Sequence, residues 1–166
     1  MILRGARVLL RPARPDDLER LIEIRREPGV LTWWGSASDD EVREEFLGVE
    51  DALVVEVGGE VAGGILFAEE EDPMYRRAGI DIFLAQSHQG QRLGSEAIRV
   101  LARYLFEERG HHRLTIDPAV DNEVAIRAYE RVGFRRVGIM RKYERGPDGT
   151  WHDGLLMDLM REDFRP

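Results

Sequence analysis

Apolar residues change their rhythm along this chain, and each change predicts an element. At 8–11 a short apolar run reads as a first strand. From Pro15 the spacing becomes helical, with Leu18, Leu21 and Ile22 on one side, predicting a helix over 15–26 that Gly29 breaks. The pair Trp33-Trp34 and Gly35 then fall in a loop, and Asp39 or Asp40 caps a second helix to about residue 47 through Val42, Phe46 and Leu47. Two strands follow, 53–57 and 61–67, around the hairpin pair Gly58-Gly59. After a charged stretch over 69–77, strict alternation returns at 79–84. A glycine-bearing loop leads into a long helix reaching about 109, with its stripe at Ile98, Leu101, Ala102 and Leu105, closed by Gly110. The rest reads as a strand at 113–116, a helix over 122–132 closed by Gly133, and a last hairpin of 134–145 and 151–160 around Pro147-Asp148-Gly149. The order β-α-α-β-β-β-α-β-α-β-β predicts an α/β fold with a mixed sheet.

Length and composition narrow the picture. At 166 residues, 43% of them apolar, the chain suits one domain over 1–166. No run reaches the ~18 apolar residues of a membrane span. The first fourteen residues carry four arginines and no continuous apolar core of a secretory signal, so the expected location is the cytoplasm. Cysteine is absent, which excludes disulfides, thiolate metal sites and a cysteinyl intermediate. The histidines, His88, His111, His112 and His152, lack the spacing of a helical metal site, and no metal is expected. A net charge of −8 disfavours nucleic acid and anionic membranes and suits a cationic small molecule.

Three places carry candidate chemistry. Gln89-Gly90-Gln91-Arg92-Leu93-Gly94-Ser95 joins a strand to a helix start, where free N–H groups and the helix dipole favour an anion. It is neither a Walker loop nor a dinucleotide fingerprint, and a plain connection is the alternative. Asp81 interrupts an apolar strand, opposite the face of Ile80, Ile82 and Leu84. It is either a general base facing a cleft or the partner of Arg76 or Arg77. Tyr129, on the helix after Asn122, is either a core tyrosine or an acid presented to a cleft; Asn122 reads first as a cap.

Taken together, the residues from Gly79 to Phe134 resemble the core of the GNAT acetyltransferases. Gln89 to Gly94 is similar to that family's pyrophosphate loop, Q/R-x-x-G-x-G/A, with Arg92 in place of the first glycine. Asn122, Ala125, Tyr129, Gly133 and Phe134 match its second cofactor-side motif. More narrowly, Trp33-Trp34-Gly35, the segment Val42 to Leu47, Glu69-Glu70-Glu71-Asp72-Pro73 and Asp117-Pro118 resemble aminoglycoside 6′-N-acetyltransferases. The resemblance implies a mostly antiparallel mixed sheet flanked by helices, acetyl-CoA as co-substrate, and direct transfer to an amine. Asp81 would be the base and Tyr129 the acid. Acetyl-CoA would bind through Phe83, Leu84, the loop 89–95 and Asn122. The acceptor, a cationic amine, would meet Trp33, Trp34, Glu69, Glu70 and Asp117; the alternatives are that one tryptophan plugs the core and that the acidic run is a solvated turn. The chain would act as a monomer or homodimer. The hairpin with Trp151-His152-Asp153 also resembles GNAT enzymes for protein N-termini or polyamines, so these and siderophore intermediates remain alternative acceptors. A binding module without turnover is the alternative outside enzymology.

Overall fold

A computed structural model describes residues 1–166. Eight strands form one sheet in the order β1-β2-β3-β4-β5-β6-β8-β7. The strands are β1 (Leu3–Arg4), β2 (Val8–Pro12), β3 (Ala52–Val57), β4 (Glu60–Glu70), β5 (Arg77–Leu84), β6 (Arg113–Ile116), β7 (Arg135–Arg145) and β8 (Trp151–Met160). The helices are α1 (Leu18–Arg25), α2 (Pro28–Trp34), α3 (Asp39–Phe46), α4 (Leu93–Glu107) and α5 (Glu123–Val132). All neighbouring strands run antiparallel except β5 and β6.

Strand alternation divides the sheet into two faces. On β3, Leu53 and Val55 join the larger core, while Ala52 and Val54 join the smaller one. The larger core receives the stripe of α4, including Ile98, Leu101 and Leu105, and Ile126 and Val132 of α5. The smaller core is closed by Leu21 and Ile24 of α1, Val30 of α2, and Val42 and Phe46 of α3. Three layers result: α4 and α5, the sheet, and α1 to α3. No helix is long and apolar enough to cross a membrane.

The parallel seam positions everything that follows. β5 and β6 pair only at Ala78↔Leu114 and Gly79↔Thr115. β5 continues to Leu84 against β4 alone. Beyond Gly79 the two strands part, and the β5 backbone facing that gap has no strand partner.

Several local expectations are corrected. Trp33 and Trp34 lie in α2, not in a loop. Pro28 starts that helix at its first position, where its missing N–H matters least, so Gly29 sits inside a helix. Ser38, not Asp39 or Asp40, caps α3: its hydroxyl accepts from the Glu41 N–H at 3.2 Å, and Glu41 accepts from the Ser38 N–H at 2.6 Å. β4 runs on through Glu69 and Glu70, residues that the charge pattern had assigned to a connection. β1 is too short to register as a pattern.

Candidate active site

The gap between β5 and β6 opens into a cleft of about 1250 Å³. Its floor is β5 itself, with Asp81, Ile82, Phe83 and Leu84 along it. The start of α4 closes one end, and the chain after β6 together with β7 closes the other.

The α4 end is built for an anion. The N–H groups of Leu93, Gly94 and Ser95 make no hydrogen bond within the protein. Gly90 has φ +75, and a Cβ there would meet nothing within 4 Å. Arg92, the N-cap of α4, has φ 62, so a non-glycine residue holds the left-handed backbone that glycine ordinarily supplies. Arg92 lines the cleft, as does Arg131 on α5, and neither makes a salt bridge. A cation at a helix N-terminus opposes the dipole unless an anion joins them. Gln89, Leu93, Gly94 and Ser95 also line this end. The loop is braced from within: the Gln89 amide donates to the Leu84 carbonyl at 2.9 Å, and the Ser95 hydroxyl to the Ala128 carbonyl at 3.3 Å. Gln91 turns away from the cleft, its amide donating to the Ser87 carbonyl at 3.0 Å. Asn122 caps α5, its Oδ1 accepting from the Ala125 N–H at 3.3 Å, and it also lines the cleft.

The other end is acidic. Asp81 shares a face of β5 with Phe83 and forms no ion pair: Arg76 donates to the Arg109 carbonyl at 2.6 Å, and Arg77 approaches Glu70 at 3.9 Å. Solvent reaches Asp81 through the cleft mouth, while protein walls surround it. Burial, then the charges of Asp117, Glu144 and Glu45, push its carboxyl up to about 6. Asp117 accepts a hydrogen bond from the Tyr143 hydroxyl at 2.8 Å. Burial nevertheless raises Asp117, and that hydrogen bond pushes Tyr143 up to about 12. Glu144 is raised by burial and by Asp117.

Tyr129 presents its hydroxyl to this region from α5. The ring is 9% exposed, packs 6.3 Å from Phe134, and the hydroxyl makes no hydrogen bond within the protein. Burial, then Asp81 and Asp117, hold the phenol above its ordinary range, so it keeps its proton at neutral pH. Trp33 and Trp34 line the same cleft, with Trp33 38% exposed and Trp34 packed edge-on against Phe83 at 5.0 Å.

Glu69 and Glu70 do not reach the cleft. Both belong to a separate polar pocket at the far end of β4. Glu69 accepts from Arg109 at 2.6 Å and pairs with the buried His111 Nε2 at 2.6 Å. Burial would raise Glu69, but these partners outweigh it and hold the carboxyl below its usual range. Register explains the misplacement: Glu69 opposes Ala78, whereas Asp81 opposes Leu66, three pairs nearer the cleft. In exchange the structure adds Tyr143 and Glu144. A bulge between Met140 and Glu144, with Lys142 at φ 48 and its N–H on Asp153 at 2.8 Å, delivers them to the cleft. No spacing in the charged run Arg141 to Arg145 announces it.

The description "Acetyltransferase (GNAT) domain" fits residues 7–135 of this chain. The aminoglycoside N(6')-acetyltransferase type 1 of Klebsiella pneumoniae is 30% identical over 167 residues, spanning 86% of this chain and 79% of the relative. The spermidine N(1)-acetyltransferase of Escherichia coli K12 is 25% identical over 169 residues, spanning 95% and 88%. Among solved structures, AAC(6')-Ib in complex with paromomycin and acetyl-CoA aligns with a TM-score of 0.75 and 29% identity over 95% of each chain. With most of its length matched by the family and its sheet parted at β5 and β6, this chain belongs to the GNAT acetyltransferases.

Proposed function

We propose that the protein transfers the acetyl group of acetyl-CoA directly to an amine of a small polycationic acceptor, an aminoglycoside in the first instance and at its 6′-amino group. The polarity of the cleft carries this reading. One end offers free N–H groups with Arg92 and Arg131, and the other offers Asp81, Asp117 and Glu144. From Asp81 to Leu84 the strand advances ~10 Å, so one floor links an anion cradle to a cation cradle.

In this reading the pyrophosphate of acetyl-CoA rests on the loop at 89–95, and β5 backbone N–H groups around Phe83 and Leu84 bond the pantetheine arm and polarise the thioester carbonyl. An ammonium drawn in by Asp117 and Glu144 loses a proton to Asp81, directly or through one water. The free amine attacks the carbonyl carbon, the C–S bond breaks, the departing sulfur takes up the proton of Tyr129, and the surplus proton on the new amide nitrogen passes to the tyrosinate, restoring the phenol. A carboxyl near 6 is mostly ionised at neutral pH while still holding useful proton affinity. With no cysteine in the chain, no cysteinyl intermediate forms. Trp33 offers an exposed indole face to the acceptor, with cation–π attraction for its ammonium groups.

The aminoglycoside acceptor is supported by the Klebsiella pneumoniae relative and the AAC(6')-Ib structure. The Escherichia coli spermidine N(1)-acetyltransferase favours a second reading, a linear polyamine. Thiol release from acetyl-CoA should be followed with aminoglycosides, polyamines and N-terminal peptides, and the products weighed by mass spectrometry. One added acetyl group on an aminoglycoside is the expected result. Turnover confined to polyamines would transfer the assignment to the second reading, and acetyl-CoA binding without turnover of any amine would overturn both.

A further inference from the structure

Behind the aromatic wall of the cleft lies a guanidinium that the steps above do not use. Arg25, the last residue of α1, leaves only 7% of its side chain exposed. Its Nη1 donates to a Glu45 carboxylate oxygen of α3 at 2.8 Å. Its guanidinium carbon lies 4.9 Å from the ring centroid of Trp34 and 5.4 Å from that of Phe83. Its Nε is buried without a partner. A buried guanidinium with an unpartnered Nε is costly, a cost that a plain apolar filler would not carry. The cation is therefore of interest for what it touches. Trp34 and Phe83 are cleft walls, and Asp81 stands two residues before Phe83 on the same face of β5.

Asp117 after β6, Glu144 and Tyr143 of β7 and Tyr129 of α5 line the cleft with Asp81, and Glu45 of α3 stands behind its wall, held by Arg25. Of these carboxylates, Glu45 is the one neutralised by a cation, Arg25. We propose that Arg25 and Glu45 are positioning residues: their ion pair, clamped against Trp34 and Phe83, holds the acceptor-side wall and sets the field in which Asp81 takes its proton. The proposal rests on Asp81 being the base. Burial raises Glu45 itself, and Glu45 is among the charges that hold Asp81 up.

The sign differs for the two partners. Glu45→Gln removes a negative charge, so Asp81 should release its proton at lower pH. Arg25→Met leaves Glu45 unbalanced, so Asp81 should release it at higher pH. The direct readout is carbon-13 NMR titration of the Asp81 carboxyl in the resting protein, assigned with Asp81→Asn, which needs no turnover. A midpoint shift of about 0.3–0.7, a two- to fivefold change in proton affinity, is expected downward in Glu45→Gln. The acid limb of kcat/KM for the acceptor should follow it. Arg25→Met should also raise acceptor KM and change the near-ultraviolet dichroism of Trp34, with acetyl-CoA affinity by calorimetry unchanged. Arg25→Lys, which keeps the charge but loses the planar fork, should restore the limb more than KM. An unmoved midpoint in Glu45→Gln overturns the proposal even where Arg25→Met does not fold. A moved midpoint in a protein that acetylates no amine upholds the field effect and overturns the acetyl-transfer reading instead.

Discussion

Replacing Arg92 by glycine should move two measurable quantities in opposite directions. Arg92 holds φ 62 at the start of α4, a conformation costing an L-residue roughly 1–2 kcal/mol. Glycine removes that strain but brings a floppier unfolded chain, which returns roughly 0.5–1 kcal/mol. The net gain is ~0.5–1 kcal/mol, or about 1–4 °C in Tm for a chain of this length. The side chain also stands unpaired at the proposed pyrophosphate cradle. A charge-assisted hydrogen bond there is worth ~1.5–3 kcal/mol, so its loss should weaken acetyl-CoA binding about 10- to 100-fold. Arg92→Ala keeps the strain and loses the charge, so it should bind as weakly as the glycine variant without its thermal gain. Calorimetric titration with acetyl-CoA and thermal scans of the three unliganded proteins make the comparison. Native affinity in Arg92→Gly would remove the guanidinium from the cradle. A Tm below that of Arg92→Ala would show that the left-handed backbone is not what glycine relieves.

Asp81→Asn should lower kcat/KM by ~10²–10⁴-fold with acetyl-CoA affinity intact. Native activity should fall as pH drops through about 6, where Asp81 gains its proton. Because that proton binds more tightly in the folded state than in the unfolded chain, ionising Asp81 works against the fold as pH rises through about 6. Asp81→Asn should therefore raise Tm at pH 7 and above, and thermal scans at pH 4 should show the advantage gone. Tyr129→Phe should lower kcat without lowering Tm, since the hydroxyl bonds nothing in the protein, and its effect should shrink with a thioester of a more acidic thiol. Glu69→Ala should lower stability by about 1–3 kcal/mol in urea titrations by stranding His111 and Arg109, while leaving acceptor KM unchanged.

Much of the α4 end of the cleft was legible in the sequence because its signals are local. The loop before α4, the Asn122 cap, and the close of α5 at Gly133, φ 119, are each set by residues within a turn of one another. Asp81 was visible as a charge within an apolar alternation, although its lack of a partner was not. The acidic end was less legible because it is assembled by register. Trp33 and Trp34 were seen, but their helix was hidden by Gly29, where Pro28 was the stronger signal. Ser38 and Glu41 carried a readable capping box that the neighbouring aspartates masked. The acids at Glu69 and Glu70 drew attention as a cluster, yet strand pairing carries them to the other end of the sheet. Tyr143 and Glu144 depend on a bulge, and the Arg25 cluster on four elements meeting, neither of which leaves a trace in spacing.

The parting of β5 from β6 also bears on how the protein holds together. Strands β1 to β5 form one half-sheet and β6 to β8 the other, stitched by two residue pairs and bridged by α4. A pantetheine arm laid along β5 would act as a ninth, borrowed strand, completing rungs that the chain leaves open. Amides of β5 should then exchange with solvent more slowly once acetyl-CoA is bound, and the two half-sheets should unfold less independently. The gap between β5 and β6 would then be an unfinished piece of architecture that each catalytic cycle completes and undoes.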